Sequence, residues 1–283
     1  MERPLSGRPP RLTLPPGAID TQMHCYLPGF PAAPGAIPLP EGDVGPEAYR
    51  KLMAWLGISR VVVVQGNAHG ADNANLCAVL EAFGEIARGV AVITPETPDA
   101  ELERLHEAGI RGARIMDLPG GAVGLSALPE VAARAHAMGW TLNVQFDGSD
   151  IEAHEPALAA IPGRYVIDHH GKFFSGAAPG DARTAALLRL LDRGNAHLKL
   201  AGCYESSRAG APDYADVSAV ARLVVAHAPE RAIWGTNWPH NLAKTPETYP
   251  DDAALTDLLL DWAPSETARQ AILVDTPAAL YGF

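Results

Sequence analysis

A single-domain α/β chain folded as a (β/α)8 TIM barrel is what this sequence predicts, on three observations. From residue 18 onward, short β-branched runs alternate eight times with amphipathic stretches of helical period. The run Val61-Val62-Val63-Val64 is apolar without alternation, as expected when both faces of a parallel sheet are covered. No linker or shift of composition interrupts the 283 residues, a length that suits one barrel of about 250 residues. A doubly wound sheet fits less well. No glycine-rich dinucleotide fingerprint follows the first strand, and Pro119-Gly120-Gly121 lacks the Lys and Ser/Thr of a phosphate-binding loop.

The elements follow in order. Residues 1–17 are rich in Pro and Arg and contain no apolar run of signal-peptide length, so they read as a loose N-terminal arm ahead of a catalytic barrel spanning 18–283. Strands are expected at residues 18–25, 59–65, 87–94, 112–117, 141–147, 165–170, 197–203 and 232–237. Between them, helical periodicity predicts helices at 46–56, 72–84, 99–108, 126–138, 151–161, 182–193 and 216–227, followed by 251–262 and 265–274.

Composition narrows the function. A formal charge of −11 without any Lys/Arg-rich run argues against nucleic acid or an anionic membrane as partner, so an anionic substrate must be captured locally. Cys25, Cys77 and Cys203 are widely spaced and form no Cys-x-x-Cys pair, which suggests neither a disulfide framework nor a zinc knuckle. A cytoplasmic location fits this usage. No stretch approaches the length of a membrane span. Oligomeric state is left open.

Barrel enzymes build their sites from residues at the C-terminal ends of strands. Five histidines fail that criterion. His106 and His136 stand three residues before Gly109 and Gly139, and His227 two before Pro229, all in last helical turns where an imidazole complements the dipole. His154 lies in a helix and His197 opens a strand. The remaining polar residues gather at strand ends: Gln22 and His24; Gln65, Asn67 and His69; Arg114 and Asp117; Gln145 and Asp147; Asp168, His169 and His170; Lys199, Tyr204 and Ser206; Asn237 and His240. His169 and His170 cannot both face the barrel axis if the strand continues through them, so one is expected in a loop or behind the site. Lys199 reads either as a site residue or as a buried strand lysine paired with Glu205 or Asp147.

Several runs together carry a family resemblance. They are Ile19-Asp20-Thr21-Gln22-Met23-His24, Val63-Val64-Gln65 followed by Asp72-Asn73, Gly109-Ile110-Arg111-Gly112-Ala113-Arg114, Asp168-His169-His170-Gly171-Lys172, Leu198-Lys199-Leu200-Ala201-Gly202 and Trp234-Gly235-Thr236-Asn237-Trp238-Pro239-His240. The chain resembles, nearly end to end, the amidohydrolase-related branch that contains 2-pyrone-4,6-dicarboxylate lactonase. By that likeness the lactonase's first-strand His, sixth-strand His and eighth-strand Asp fall on His24, His169 and Asn237. The last departs from the lactonase pattern. Where metal-dependent relatives would carry a His-x-His pair and a terminal-strand Asp, this chain has Gln22 with His24, and Asn237, which is not basic near neutral pH. The resemblance therefore implies an amidohydrolase-like barrel without a metal or other cofactor. It also implies a sugar-diacid lactone as substrate, with isomerisation of a galactaro-1,5-lactone to the 1,4-lactone in hexuronate catabolism.

The chemistry of such a step can be stated from general principles. A hydroxyl held against its own ester reaches effective molarities on the order of 10^5–10^8 M in favourable cases, so no metal hydroxide is needed. The enzyme must supply a proton acceptor, a proton donor and stabilisation of the tetrahedral oxyanion. Imidazoles, with a reference pKa of about 6.5, suit both proton roles. His24 and His169 are the expected acid–base residues, with His240 as a third candidate and Asn237 beside them. Arg114 is expected to clasp the distal carboxylate bidentately, with Lys172 and Arg208 as further anion contacts. Gln22, Gln65, Asn67, His69, Gln145 and Tyr204 are expected to line the substrate. A lactone hydrolase using water is the alternative, and a non-catalytic sugar-acid binding protein a more distant one.

Overall fold

Eight parallel strands follow one another around the sheet in the order β1 to β8: Ile19–Met23, Arg60–Val64, Ala87–Ala91, Ile110–Met116, Thr141–Gln145, Tyr165–Ile167, Ala196–Leu200 and Ala232–Trp234. These assignments come from a computed structural model, which describes residues 5, 8–243, 245 and 248–283. Closure of the barrel occurs just past the end of β8. Asn237 N–H donates to the Gln22 carbonyl (2.7 Å) and His24 N–H to the Trp238 carbonyl (2.8 Å), which draws the eighth strand end onto the first. Buried Asp20 reinforces the seam by accepting from the Thr236 hydroxyl and amide, the Gln22 amide and the Tyr49 hydroxyl. The segment that closes the barrel is thus the one that carries Asn237.

Helices α1 to α7 occupy Pro46–Leu56, Ala74–Phe83, Asp99–Glu107, Leu128–Ala137, Ile151–Ala159, Ala182–Asp192 and Ala215–His227, each within two residues of the expected bounds. The expected 251–262 helix is two pieces, α8 (Asp252–Asp257) and α9 (Leu259–Trp262). The 265–274 stretch begins as α10 (Glu266–Gln270) and continues as a π turn over Ala271–Asp275 into α11 (Thr276–Tyr281). Most strands end two or three residues earlier than expected. Their polar C-terminal residues leave the ladder for tight turns; after β6 the chain turns at once, with His169 and His170 at φ +51° and +55°.

Alternation along each strand separates two apolar layers. Val61 and Val63 belong to the large cluster packed under the helices, whereas Val62 and Val64 join Ile19, Val90, Val166 and Ile233 inside the barrel, sealed by Leu280 and Tyr281 of α11. That plug fills one end, and the polar strand termini fill the other. The arm is tied down near its end rather than loose: Leu12 and Leu14 are buried, and the amides of Arg11 and Leu12 both donate to the Asp257 carboxylate. No helix among the described residues is long and apolar enough to cross a membrane.

Candidate active site

A cavity of about 510 Å³ opens at the C-terminal ends of the strands, and His24, Arg114, Gln145, His169, Lys172 and Asn237 line it together with Asn67 and Glu205. Its rim is apolar. Ile37, Phe174 and Leu242, three of the few large hydrophobic side chains left exposed, stand at the mouth.

Arg114, from the middle of β4, is buried, yet its guanidinium meets only neutral acceptors: the Gln65 carbonyl (2.9 Å), Asn67 Oδ1 (2.9 Å) and Gln145 Oε1 (2.7 Å). Among the described residues no carboxylate pairs with it, and its Nε has no partner. The other two cations are compensated. Lys172 is paired with Glu205, and Lys199, fully buried, stands 2.8 Å from Asp168. Arg114 is therefore a fixed positive charge facing a cavity, the arrangement that receives a carboxylate.

The two lining histidines share a tautomer. His24 Nδ1 lies 2.8 Å from the Val64 carbonyl and His169 Nδ1 3.2 Å from that of Ala201, so each Nδ1 carries hydrogen and each Nε2 keeps its lone pair. Burial lowers the pKa of His24 to about 4, helped by the Arg114 charge. Burial and the nearby Lys172 hold His169 well below the ordinary imidazole value. Both rings are neutral near pH 7 and present acceptors. Backbone geometry brings them in. His169 and Lys172 adopt left-handed φ of +51° and +46°, and Asn237 +63°, conformations that non-glycine residues take only at a cost of about 1–2 kcal/mol each. Gly202 makes room: a Cβ there would lie 2.9 Å from both His169 Nδ1 and Asn237 Nδ2.

Several expected substrate contacts prove to lie behind the wall, which corrects the sequence reading. Gln22 is fully buried below His24; its Oε1 accepts from Lys199 (2.7 Å) and its Nε2 faces His24 Nε2 at 3.3 Å. Gln65 spends its amide on the carbonyls of Gly70 and Asp72, holding the turn after β2. His69 is buried against Tyr26, with Nδ1 on the Pro31 carbonyl. Arg208 reaches the Ser175 carbonyl instead of the cavity. Tyr204 hydrogen-bonds to Asn237 and His240, and His240, with no exposure, is paired to Asp252 and does not reach the cavity. Lys199 pairs with Asp168, not with Glu205 or Asp147. Of the two adjacent histidines, His170 is the one turned away; it packs edge-on against Trp262 at 4.9 Å. Glu205 and Asp252 were not expected at the site. Glu205 sits between Tyr204 and Ser206 in a 3-10 turn after β7 and reads in sequence only as a partner for Lys199, and Asp252 opens a helix distant in sequence from any strand end.

The donor set does not suit a divalent metal. An amide N–H from Gln22 is aimed at the imidazole nitrogen that would have to ligate, the Lys199 ammonium stands behind that amide, and the eighth strand offers a carboxamide. Among the described residues no three His, Cys, Asp or Glu side chains gather as a potential metal site.

Comparison with known proteins places the chain in a family. The amidohydrolase family model matches residues 19–283. The chain belongs to the amidohydrolase family. Within it, the chain is 54% identical to the D-galactarolactone isomerase of Agrobacterium fabrum over 280 residues, covering 99% of this chain and 96% of the relative. It is 33% identical to a 2-pyrone-4,6-dicarboxylate hydrolase of Comamonas testosteroni, covering 96% and 92%. A solved apo structure from Agrobacterium tumefaciens superposes with a TM-score of 0.96 at 54% identity, covering 99% of both chains. The eight-stranded amidohydrolase barrel expected from the sequence is the fold found.

Proposed function

We propose that this amidohydrolase is a lactone isomerase that converts D-galactaro-1,5-lactone to the 1,4-lactone by intramolecular acyl transfer. The likeness to the isomerase from Agrobacterium supplies the identity of the lactone. The observation that carries the chemistry is a buried guanidinium without a carboxylate partner in the same cavity as two neutral imidazoles.

In the reaction, the C6 carboxylate docks on Arg114, the lining cation that has no carboxylate partner. The C4 hydroxyl attacks C1, its proton passes to an imidazole, C1–O5 breaks and O5 takes the proton. No water is consumed, and the formula is unchanged. His169 is the better base, because among the described residues no protein group engages its Nε2, whereas that of His24 faces the Gln22 amide. Attacking and leaving oxygens share one carbon in the tetrahedral intermediate, so a single imidazole can collect the proton from one and return it to the other. The incoming carboxylate and the developing oxyanion both raise the basicity of a ring that burial and Lys172 hold low. The reaction belongs to the breakdown of hexuronates, which suits a cytoplasmic enzyme.

Proton NMR of fresh galactaro-1,5-lactone, with enzyme in excess chelator, tests the proposal directly. The 1,4-lactone should appear as the first product. Open galactarate as the sole first product would make the enzyme a hydrolase, the activity named for the relatives at 33–34% identity.

A further inference from the structure

His240 is buried away from the cavity, yet it is connected to it by two hydrogen bonds in series and anchored behind by a third. His240 Nε2 lies 2.8 Å from Asp252 Oδ1, its Nδ1 2.7 Å from the Tyr204 hydroxyl, and that hydroxyl 2.8 Å from Asn237 Nδ2. Asn237 Nδ2 also donates to Glu205 Oε1 at 2.8 Å. We propose that Asp252, His240 and Tyr204 are positioning residues, a chain of fixed polarity that holds Asn237 with its carboxamide oxygen offered to the substrate. For its activity readouts alone, the proposal rests on the lactone-isomerase reading.

The polarity is dictated from both ends. An ionised carboxylate can only accept, so Asp252 requires hydrogen on His240 Nε2. In the neutral ring Nδ1 is then the acceptor, and the single Tyr204 hydroxyl hydrogen is committed to it. What remains on the Tyr204 oxygen is lone-pair density, which the Asn237 N–H fills. Glu205, held by Lys172, likewise only accepts and takes the second Nδ2 hydrogen. Every hydrogen in the chain is thereby assigned, and Oδ1 is the polar atom left to Asn237 on the cavity it lines. A carboxamide oxygen can hold a sugar hydroxyl through its hydrogen but cannot remove that hydrogen as a proton. Asn237 can therefore orient the nucleophile without competing with His169 as a base. The backbone supports the same arrangement: Asn237 and His240 both sit at left-handed φ, +63° and +56°, on either side of Trp238-Pro239. The edge of the His240 ring is closed in by Tyr249, ring centroids 4.8 Å apart.

The test uses full-length protein with ¹⁵N-labelled histidine and three substitutions, Asp252→Leu, Asp252→Asn and Tyr204→Phe. In the wild type, ring ¹⁵N shifts should show His240 protonated at Nε2. Asp252→Leu keeps the branched shape but removes the acceptor that anchors His240 Nε2, so the ring should lose its fixed place and kcat should fall roughly 10–100-fold, the usual cost of losing an orienting partner, with KM within about twofold. Asp252→Asn retains an oxygen acceptor on the same frame and should restore kcat. Tyr204→Phe should lower kcat as much as Asp252→Leu, and the double variant Tyr204→Phe/Asp252→Leu no further, because both cut one chain. Multiplicative losses in the double variant would overturn the proposal, as would a wild-type His240 protonated at Nδ1 or a fall in Tm with kcat intact. Should Asp252→Leu not fold, kcat for Tyr204→Phe decides. A wild type that does not isomerise the lactone would refute the functional reading, and the tautomer measurement would still decide the chain.

Discussion

The two ends of the barrel are built on opposite principles. At the N-terminal end, Ile19, Val62, Val90, Val166 and Ile233 meet Leu280 and Tyr281, a dry plug in which the few polar groups are partnered: Tyr281 donates to Asn143 and Thr141 to the Leu280 carbonyl. At the C-terminal end, non-glycine residues sit at left-handed φ, a guanidinium is buried without a counter-ion, and two imidazoles are kept neutral. One end lowers the free energy of the fold. The other stores part of it as strain and uncompensated charge, which a bound anion relieves. If that division is real, substitutions at the two ends should separate activity from stability.

The sharpest break is expected at His169. His169→Ala should reduce kcat by on the order of 10^2–10^4-fold, the range for loss of an acid–base group, while Tm stays nearly level because the side chain removed is a desolvated polar one. An unchanged kcat would move proton transfer to His24. Asn237→Asp comes next. Replacing the amide with the carboxylate found in the related lactonase would set an acceptor against the Glu205 carboxylate and the Tyr204 oxygen, both of which now receive hydrogens. Repulsion from Glu205 should keep the new acid protonated or displaced, so turnover should fall roughly 10–1000-fold without a rise in hydrolysis. A product mixture shifted toward open galactarate would show that Asn237 sets the choice of nucleophile.

Arg114→Lys retains the charge but loses the planar fork that spans Asn67, Gln145 and the incoming carboxylate. KM should rise roughly 10–100-fold, equivalent to about 1.5–3 kcal/mol for hydrogen bonds to a charged group. A wild-type KM for the diacid lactone would place the carboxylate elsewhere. At the opposite end, Leu280→Ala should cost about 2–5 kcal/mol of stability through the cavity it leaves, with kcat for the remaining folded enzyme unchanged. A loss of kcat without a loss of Tm would contradict the division between the ends.

Much of this was legible in the sequence because it obeys period and strand-end rules. The continuous Val61–Val64 run, the helical stretch at 46–56 and the clustering of His24, Arg114, His169 and Asn237 all follow from alternation in a parallel barrel. What was not legible is which strand-end residues reach the cavity. Gln65, His69, Arg208 and His240 have the right types and neighbourhoods, but the first three are spent on backbone carbonyls of their own surroundings, and His240 sits at a left-handed φ that no pattern announces and pairs with Asp252. Glu205 and Asp252 escaped for the complementary reason. Each is an ordinary acidic residue in a turn or helix start, and only the fold brings it against Asn237 or His240.

The smallest effect, and the one that draws on both ends, is the response to acid. His24 at the cavity has its pKa lowered to about 4, His197 on β7 to about 4 and His170 to about 3, in each case chiefly by burial; His169 is held well below the ordinary value by burial and Lys172. The unfolded chain protonates these rings near pH 6.5, whereas in the folded chain each stays neutral well below that value, His24 and His197 to about 4. Between those values the unfolded state binds more protons, so stability rises with pH and is progressively lost as pH falls from about 6.5 toward 4. Asp20 works in the opposite sense, because burial raises its carboxyl above 3.8 in the fold, but it is one group against five histidines, His106 being lowered by burial as well. Tm should therefore be flat above pH 7 and decline smoothly below about 6.5. Over the same window kcat/KM should hold level down to about pH 5, since the lining imidazoles of the free enzyme remain neutral and ready to accept a proton. A Tm that climbs on acidification, or a kcat/KM that drops in step with a titration near 6.5, would mean that the site histidines are solvated in the free enzyme and that the contrast between the two ends is weaker than the geometry indicates.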